Sequence, residues 1–335
     1  MDFKNYLVPG KTGLLIGIGG VSMSPLAEVL HDAGLDIRGS DMAESSNTLT
    51  LRERGIPIHI GHSADNVTDD ISFVIRTAAV HDDNPEVHEA HRRGIPVFER
   101  TQAWGALMRG YQNALCISGT HGKTTTTSMC THIMMAAEKD PTVMIGGTLP
   151  LLKACHRVGK GNTIIMESCE YYNSFLALNP TIAVVLNIEA DHLDFFKDLE
   201  DIKHSFRCFA ERVPAETGTV IANYDDANTM DALRGIARKV ITFGLNAKAD
   251  VYAQNIVHRG SVSEFDIYHR GNYFARVTLH VPGIHNVRNA LAATAAAIVL
   301  GVSPNAVKYG LAGFEGAGRR FDFNGKFQGA DLYDD

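Results

Sequence analysis

Cysteine is scarce in this sequence, and the few thiols follow no ligand or disulfide pattern. They are odd in number and lack the short paired spacings of a zinc site or a redox pair. The five cysteines are Cys116, Cys130, Cys155, Cys169 and Cys208. Reduced thiols fit this usage best. We therefore expect a cytoplasmic protein whose fold does not depend on disulfide bonds.

Long apolar runs and an excess of positive charge are also lacking. No apolar stretch approaches the roughly 18 residues of a membrane-spanning helix, and the N-terminus has neither the basic flank nor the apolar run of a signal peptide. The 31 Lys and Arg residues oppose 38 Asp and Glu residues, for a net charge of −7. The sequence therefore predicts no membrane insertion and no general attraction to nucleic acid.

What remains is the composition of an ordinary globular protein, with 335 residues of which 45% are apolar. Single hydrophobic cores seldom exceed roughly 250 to 300 residues, so this length favours two domains. In the first third of the chain, apolar runs alternate with helix-like segments, which predicts a parallel, doubly wound α/β sheet. The strand-like runs are Leu14–Ile18, Asp36–Gly39, Ile56–Ile60, Phe73–Thr77 and Pro96–Glu99, and the helical candidates are Pro25–Ala33, Leu49–Arg54 and Pro85–Arg93.

A glycine turn follows the first of these strands, but its ligand is ambiguous. Gly17-x-Gly19-x-x-Ser22 lacks the third glycine of a dinucleotide fingerprint. Asp41 lies near the distance at which an acidic residue binds a ribose. The backbone of such a turn fits the pyrophosphate of NAD or of a UDP-sugar equally well. The residues alone therefore favour neither ligand.

A second glycine turn, Ser118 to Thr125, joins the apolar run Asn113–Ile117 to the helix-like run Thr126–Glu138. Backbone N–H groups of such a turn converge on phosphate oxygens, and the helix N-terminus adds its positive end. Lys123 reaches the terminal phosphates and the Thr124 hydroxyl faces Mg²⁺, although the usual first glycine of the pattern is missing. The pattern predicts a nucleoside triphosphate site, and the simpler alternative is a glycine turn with a capping threonine.

Two later apolar runs, Thr163–Met166 and Ile182–Ile188, both end in polar clusters. Ligands of open α/β sheets bind at the carboxyl ends of the strands. If both strands flank the strand before the phosphate loop, Glu170 and His192 reach a metal held by Thr124. Imidazole is an unusual Mg²⁺ ligand. The alternative for His192 is a surface Asp-His turn that caps the next helix.

The order of these motifs along nearly the whole chain resembles that of the Mur ligases. The two turns and the Asp-His cluster are followed by a Pro-Gly-Ile-His-Asn segment and an Arg-Arg-Phe segment. The matching stretches are Gly17–Ser24 with Gly39–Asp41, Gly119–Thr126, Asn187–Asp194, Pro282–Asn286 with Asn289–Ala290, and Arg319–Phe321. The resemblance implies an α/β fold in which an N-terminal Rossmann-like parallel-sheet domain is followed by a P-loop-type α/β ATPase domain.

The resemblance also implies domain boundaries. Residues 1–108 would form the UDP-sugar-binding domain, 109–320 the central ATP-binding domain, and 321–335 the start of a C-terminal domain. In Mur ligases a third domain carries much of the amino-acid site, and this sequence ends where that domain begins. We therefore expect this chain, as a truncated form, to bind its substrates without completing the ligation.

The reaction that the resemblance implies is the ATP-dependent ligation of L-alanine to the lactyl carboxylate of UDP-N-acetylmuramate, through an acyl phosphate, in peptidoglycan precursor synthesis. Its partners would be UDP-N-acetylmuramate, ATP and L-alanine, with Mg²⁺ as cofactor and the chain as a monomer or weak homodimer. His121 is typical of this ligase and of the one that recycles the murein tripeptide, and the N-terminal turn resembles the former more closely. A Rossmann-type NAD-dependent oxidoreductase and a P-loop kinase or NTPase remain as alternatives, and each explains only one of the turns.

Residue by residue, the resemblance implies three sets of site residues. The catalytic residues would be Lys123, Glu170 and His192, and the metal ligands would be Thr124, Glu170 and His192. The ATP-binding residues would be Gly119, Thr120, His121, Gly122, Lys123, Thr124, Thr125, His285, Asn286, Asn289 and Arg320. The UDP-sugar-binding residues would be Ile18, Gly19, Gly20, Val21, Ser22, Ser40, Asp41 and His62.

Two departures from the family pattern concern the metal site. Cys169 and Tyr172 stand where the family often has aspartate, whereas Glu167 and Glu170 match the family. Several sister ligases have a carbamylated lysine, but Lys203 lies about one turn too early to match it. Glu170 therefore remains the expected ligand, and no carbamylated lysine is assigned.

Overall fold

The chain divides into two units, Met1–Gly110 and Tyr111–Asp335. The computed structural model describes residues 2–77, 79–318, 322–327 and 329–334. Arg320, a predicted ATP-binding residue, lies outside these described residues. Within them, no helix combines the length and the apolarity that a membrane crossing requires.

The first unit is built around a five-stranded parallel sheet. Its strands are β1 (Thr12–Ile16), β2 (Asp36–Asp41), β3 (Ile58–Ile60), β4 (Ile71–Arg76) and β5 (Val97–Glu99), and its helices are α1 (Ser24–Asp32), α2 (Ser46–Glu53), α3 (Pro85–Arg92) and α4 (Arg100–Met108). Short 3-10 helices span Phe3–Tyr6 and Ala64–Asn66. The strand order is β3-β2-β1-β4-β5, so β1 lies at the centre.

Local sequence explains these elements. All five residues of β1 are buried, as expected for a central strand of a parallel sheet with both faces covered. Ser45 and Thr48 form a capping box at the start of α2. Asn84 caps α3, whose first residue is Pro85. The predicted parallel sheet and its helices are confirmed, with bounds that differ from the prediction by a few residues.

The second unit contains a ten-stranded mixed sheet. Its strands are β6 (Asn113–Ser118), β7 (Thr142–Leu149), β8 (Ala154–Arg157), β9 (Thr163–Glu167), β10 (Ile182–Val185), β11 (Thr219–Asn223), β12 (Lys239–Gly244), β13 (Val251–Arg259), β14 (Val262–His269) and β15 (Asn272–Leu279). The order is β15-β14-β13-β12-β11-β10-β6-β9-β7-β8. Strands from β13 through β7 pair in parallel, whereas β8, β14 and β15 are antiparallel. The α/β class is confirmed, and antiparallel pairing is found at both edges of this sheet.

The helices of this unit pack against the sheet and against one another. They are α5 (Lys123–Ala136), α6 (Leu199–Glu211), α7 (Ala227–Ala232), α8 (Ile284–Val299) and α9 (Pro304–Ala312), with a 3-10 segment at Tyr171–Ala177. The alanine-rich α8 is buried along most of its length, as predicted for a core helix. A Cβ atom at Gly310 would lie 2.5 Å from the Ile133 Cα atom, so α9 and α5 approach closely. Residues Asp322–Phe327 (β16) and Ala330–Asp334 (β17) form a separate antiparallel pair.

Candidate functional site

The phosphate loop leaves β6 and enters α5 through two glycines that no other residue can replace without strain. Gly119 has a φ of 143° and Gly122, the N-cap of α5, has a φ of 84°. A Cβ atom at Gly119 would lie 2.8 Å from the Leu186 Cβ atom, and one at Gly122 would lie 2.7 Å from Asn289 Oδ1. Gly122 has no side chain and so does not cap the N-terminus of α5. The loop therefore has the geometry of an anion-binding turn.

The neighbouring strand holds this loop in place through Asn187, just beyond β10. Asn187 Oδ1 accepts from the His121 N–H at 2.8 Å, and its Nδ2 donates to the His121 carbonyl at 3.0 Å. Its carbonyl accepts from the Thr120 N–H at 3.0 Å. The Thr120 hydroxyl in turn accepts from the Glu189 N–H at 2.9 Å. The sequence did not assign Asn187 a role, since only the adjacency of β10 and β6 reveals it.

Lys123 and Glu170 form a buried ion pair at the loop. The Nζ atom lies 3.0 Å from Glu170 Oε2 and 3.2 Å from Oε1, and it also donates to the Gly119 carbonyl at 2.5 Å. The side chains of Lys123 and Glu170 are 14% and 2% exposed. Charges this far from water are stable only when they are paired. The structure thus places the two predicted catalytic groups together at the first turn of α5.

Thr124 contacts a second carboxylate, which the sequence analysis left without a role. Its hydroxyl donates to Glu167 Oε1 at 3.1 Å, and Glu167 Oε2 accepts from the Gly146 N–H at 2.7 Å. The hydroxyl and carboxylate oxygens of Thr124, Glu167 and Glu170 are hard donors of the kind that Mg²⁺ prefers. In the described part of the chain, no three His, Cys, Asp or Glu side chains group as a metal cage. The residues therefore fit a magnesium ion that is shared with phosphate oxygens and water.

His192 lies on the segment after β10, and Tyr171 connects it to the Glu170 segment. The rings of Tyr171 and His192 stack with centroids 4.3 Å apart and an angle of 24° between their planes. The Tyr171 hydroxyl donates to Asp194 Oδ2 at 2.5 Å, and this hydrogen bond is the main cause of the raised pKa of Tyr171. Strands β9 and β10 do flank β6, as the prediction required. Metal ligation by His192 stays a prediction.

Left-handed backbone is concentrated around these side chains. His192, Tyr172 and Asn173 have φ values of 51°, 52° and 54°, a conformation that residues other than glycine seldom adopt. Backbone strain of this kind tends to gather at functional sites. The 3-10 segment after Glu170 and the turn around His192 are thus both held in uncommon conformations.

The predicted adenosine segment lies at the N-terminus of α8. Asn289 lies against the phosphate loop at Gly122 and donates from Nδ2 to Asn286 Oδ1 at 3.2 Å. Asn286 donates to the Pro282 carbonyl at 2.7 Å. His285 packs over Gly283, where a Cβ atom would lie 2.3 Å from the His285 Cε1 atom. These contacts bring Asn289 to the loop, and the nucleotide roles of all three residues stay predictions.

Lys203 is held as a cation. Its Nζ atom lies 2.7 Å from Glu200 Oε1 and 3.2 Å from Asp231 Oδ2. The hydrogen bond that Lys203 donates to Glu200 is the main cause of its raised pKa. A carbamate at this position would add negative charge between two carboxylates. The geometry therefore favours an ordinary lysine side chain at position 203 over a carbamylated one.

Four of the eight predicted UDP-sugar residues line an open cleft of about 630 Å³ in the first unit, whereas Ile18, Val21, Ser22 and Ser40 do not. Gly19, Gly20, Asp41 and His62 all line it. Its volume falls in the range of small-molecule sites, roughly 300 to 1,000 Å³. Ser40 lies directly beneath, fully buried, with its hydroxyl 3.2 Å from His62 Nδ1.

The glycine turn beside this cleft uses its own N–H groups internally. Gly17 and Ile18 both donate to the Ser40 carbonyl, at 2.8 and 3.0 Å. Gly19 donates to Asp41 Oδ2 at 2.8 Å, and Gly20 donates to the Gly17 carbonyl at 3.1 Å. The Asp41 carboxylate thus braces the turn. The expectation that backbone N–H groups of this turn bind a diphosphate therefore does not hold for residues 17–20.

A guanidinium lies at the far end of the same turn. Arg100, the first residue of α4, donates to the Ser22 hydroxyl, and the indole of Trp104 donates to the Ser22 carbonyl at 3.3 Å. Val21, which lies between Gly20 and Ser22 in the sequence, is 57% exposed. The contact between Arg100 and Ser22 was not predicted, because the two residues are 78 positions apart in the sequence.

Two family models match this chain in the order of the two units. The model of the Mur ligase family catalytic domain matches residues 15–112, and that of the Mur ligase middle domain matches residues 117–297, which is more than half of the chain. This chain belongs to the Mur ligase family. The resemblance that the motifs indicated is thereby confirmed.

Relatives and solved structures agree. The UDP-N-acetylmuramate--L-alanine ligase of Agathobacter rectalis is 45% identical and matches 96% of this chain and 70% of its own length. The crystal structure of UDP-N-acetylmuramate-alanine ligase from Thermotoga maritima is 30% identical, with a TM-score of 0.79 over 97% of this chain and 74% of that one. The UDP-N-acetylmuramate:L-alanyl-gamma-D-glutamyl-meso-diaminopimelate ligase from Neisseria meningitides is 26% identical, with a TM-score of 0.82 over 92% of this chain and 100% of that one.

Proposed function

We propose that this chain provides the UDP-sugar and ATP sites of a UDP-N-acetylmuramate:L-alanine ligase. The observation that carries the proposal is the 45% identity to such a ligase along 96% of the chain. The fold alone does not separate this activity from the tripeptide ligase, because the two solved structures have TM-scores of 0.79 and 0.82. Sequence identity favours the alanine ligase.

The proposed chemistry has two steps. The lactyl carboxylate oxygen attacks the γ-phosphorus of ATP, the bond to the β,γ-bridging oxygen breaks, and ADP leaves. The amine of L-alanine then attacks the resulting acyl carbonyl, phosphate leaves, and the amine loses a proton as the amide forms. The first step brings two anions together, so charge neutralisation and positioning dominate its catalysis.

The contacts at the phosphate loop support the proposed chemistry of the first step. Lys123 carries the positive charge that the phosphates need, at the first turn of α5. Thr124, Glu167 and Glu170 would hold Mg²⁺, which when bound draws charge from the phosphate oxygens. Asn187 keeps the backbone of the loop in place beneath the nucleotide. His192 stacks on Tyr171 close to Glu170, where the acyl group would be activated.

The first step is tested by trapping. The chain is incubated with UDP-N-acetylmuramate, Mg²⁺, ATP and hydroxylamine, and the UDP-sugar hydroxamate and ADP are measured. We expect the hydroxamate and ADP in equal amounts. The formation of each product should require both UDP-N-acetylmuramate and ATP. ATP hydrolysis at the same rate without the UDP-sugar would instead indicate a plain P-loop NTPase.

The second step is tested by offering two amines. L-alanine and the tripeptide L-alanyl-γ-D-glutamyl-meso-diaminopimelate are supplied in competition, and the products are separated by mass. Because the chain by itself is not expected to complete the ligation, we expect little product, and we expect any product that forms to contain L-alanine. Preferred incorporation of the tripeptide would move the assignment to the recycling ligase.

A further inference from the structure

A fully buried carboxylate lies beneath the cleft of the first unit. Glu86, in the first turn of α3, is 0% exposed and accepts three side-chain hydrogen bonds. Its Oε2 atom accepts from the Ser40 hydroxyl at 2.7 Å and lies 2.7 Å from His62 Nδ1, and its Oε1 atom accepts from Asn66 Nδ2 at 2.6 Å. Burying a charged group is unfavourable, so a carboxylate at this position requires an explanation beyond packing.

This carboxylate determines how the His62 ring is presented. Glu86 Oε2 and His62 Nδ1 are 2.7 Å apart, so this hydrogen bond fixes the orientation of the ring. The side chain of His62 is 11% exposed and lines the cleft. Because Nδ1 is occupied by Glu86, Nε2 is the ring nitrogen that remains for a ligand.

The same network reaches the glycine turn. The Ser40 hydroxyl donates to Glu86, while the Ser40 carbonyl accepts from the Gly17 and Ile18 N–H groups. Glu86 is therefore connected through one residue to the turn that borders the cleft. The N–H groups of residues 17–20 are bonded within the unit, so these four groups are not free for a ligand, whereas the His62 side chain lines the cleft.

We propose that Glu86 is a positioning residue for substrate binding, which fixes the His62 ring so that Nε2 is presented to a phosphate oxygen of the bound UDP-sugar. A hydrogen on Nε2 would be donated to that oxygen, while Nδ1 stays bonded to Glu86. The inference rests on the proposed function, because it takes the ligand of this cleft to be a UDP-sugar. Glu86 itself does not touch the ligand.

The test compares two glutamates of the same helix. Glu86→Gln keeps the size of the side chain and removes the charge, and Glu89→Gln does the same one turn later. Glu89 is 8% exposed and pairs with Arg92 and Arg93, away from the residues that line the cleft. We expect Glu86→Gln to weaken calorimetric binding of UDP-N-acetylmuramate about 10-fold or more. The affinity of Glu89→Gln for UDP-N-acetylmuramate should stay within about 2-fold of that of the unaltered chain.

A double-variant cycle tests whether Glu86 acts through His62. If it does, Glu86→Gln changes the affinity little once His62→Ala is present. Additive losses of affinity would show that Glu86 acts on its own and would overturn the proposal. So would equal affinities of Glu86→Gln and Glu89→Gln. In the trapping assay, the KM for the UDP-sugar should rise while the KM for ATP and kcat stay unchanged.

A measurement on the unaltered chain does not depend on the folding of any Glu86 variant. The ring nitrogens of ¹⁵N-labelled histidine are observed by NMR, with His62 assigned by its absence in His62→Ala. We expect a change at Nε2 when the UDP-sugar is added. An Nε2 signal that the ligand does not move would contradict the proposal.

These outcomes separate the two proposals. If the unaltered chain does not bind UDP-N-acetylmuramate, the proposed function fails and this inference fails with it. If the unaltered chain binds normally and the cycle is additive, only the role of Glu86 is wrong.

Discussion

The two glycine turns of this chain resemble each other in sequence but use their backbones differently. At the turn after β6, Gly122 leaves the N-terminus of α5 without a side-chain cap, and Lys123 adds a positive charge there. At the turn after β1, the N–H groups of residues 17–20 donate within the unit. The first arrangement suits phosphates bound by backbone and lysine. At the second, we propose that the His62 side chain, which lines the cleft, contributes to recognition.

The comparison teaches that glycine spacing specifies a turn and not its ligand. The neighbouring strand decides which N–H groups remain for a ligand: β10 supplies Asn187 to one turn, and β2 supplies Ser40 and Asp41 to the other. The affinity for a nucleotide in the second unit and the affinity for a UDP-sugar in the first should therefore be weakened by different substitutions. The predictions below follow from that difference.

The largest effect is expected for Lys123→Met. It removes the cation and leaves Glu170, which is 2% exposed, without its partner. We expect a loss of about 3–5 kcal/mol in the free energy of unfolding and no measurable ATP binding, with UDP-sugar binding by the folded protein unchanged. Chemical denaturation and calorimetry measure both. Adding Glu170→Gln should restore much of the stability without restoring ATP binding, and recovery of ATP binding in that double variant would contradict the account.

Gly122→Ala should have the next largest effect. Its φ of 84° and the 2.7 Å approach of a Cβ atom to Asn289 Oδ1 combine backbone strain with a clash. We expect about 2–4 kcal/mol of destabilisation and much weaker ATP binding. Gly235→Ala is the control, because its φ is 67° and a Cβ atom there meets nothing within 4 Å. That variant should lose only about 1 kcal/mol, from backbone strain alone. Equal losses in the two variants would mean that the contact with Asn289 is unimportant.

Substitutions of the two bracing residues should have reciprocal effects. Asn187→Ala removes both side-chain hydrogen bonds to the His121 backbone, and Asp41→Ala removes the acceptor of the Gly19 N–H. Each should weaken one ligand about 10-fold, which corresponds to roughly 1.4 kcal/mol. Asn187→Ala should affect ATP alone, and Asp41→Ala the UDP-sugar alone, as measured by calorimetry. A variant that weakens both ligands equally would argue against independent turns.

The smallest effect concerns acid stability. His132 on α5 packs edge-on against Phe314, and burial lowers its pKa to about 4. Because an unfolded histidine titrates near 6.5, the unfolded state binds more protons between these values. Stability of the second unit should therefore fall as the pH drops from about 6.5 to 4, by on the order of 1–2 kcal/mol for this partly buried ring.

The first unit should respond at lower pH. Hydrogen bonds from Arg92 and Arg93 lower the pKa of Glu89 to about 2, so its contribution is present above about 4.5 and is lost toward pH 2. Hydrogen exchange read by mass spectrometry follows the two units separately. His132→Gln should remove the earlier loss, whereas His204→Gln, at an exposed position of α6, should not. An unchanged profile in His132→Gln would refute this assignment.

The sequence predicted features that depend on nearby residues. The phosphate loop, the positions of Lys123 and Thr124, and the central parallel strands all follow from local spacing and apolar runs. It did not predict contacts that depend on strand order, and these include Asn187 at His121 and Glu167 at Thr124. Such pairs are separated by more than 40 residues, so no local pattern marks them.

The antiparallel strands at the edges of the second sheet were not predicted in either direction. Buried and more exposed residues alternate along β14, Val262–His269, as they do in strands with one covered face. That period-two pattern was visible in the sequence and was not used. By contrast, the bracing of the first turn by Asp41 was not visible, because an acidic residue at this position also fits a ribose contact.

One titration tests the central claim most directly. The chain is titrated calorimetrically with UDP-N-acetylmuramate, with NADH as the control ligand. The account predicts saturable binding of the UDP-sugar and none of NADH, since we propose that the cleft beside the first turn binds a UDP-sugar. Saturable binding of NADH without binding of the UDP-sugar would contradict it and would return the first unit to a dinucleotide-binding function.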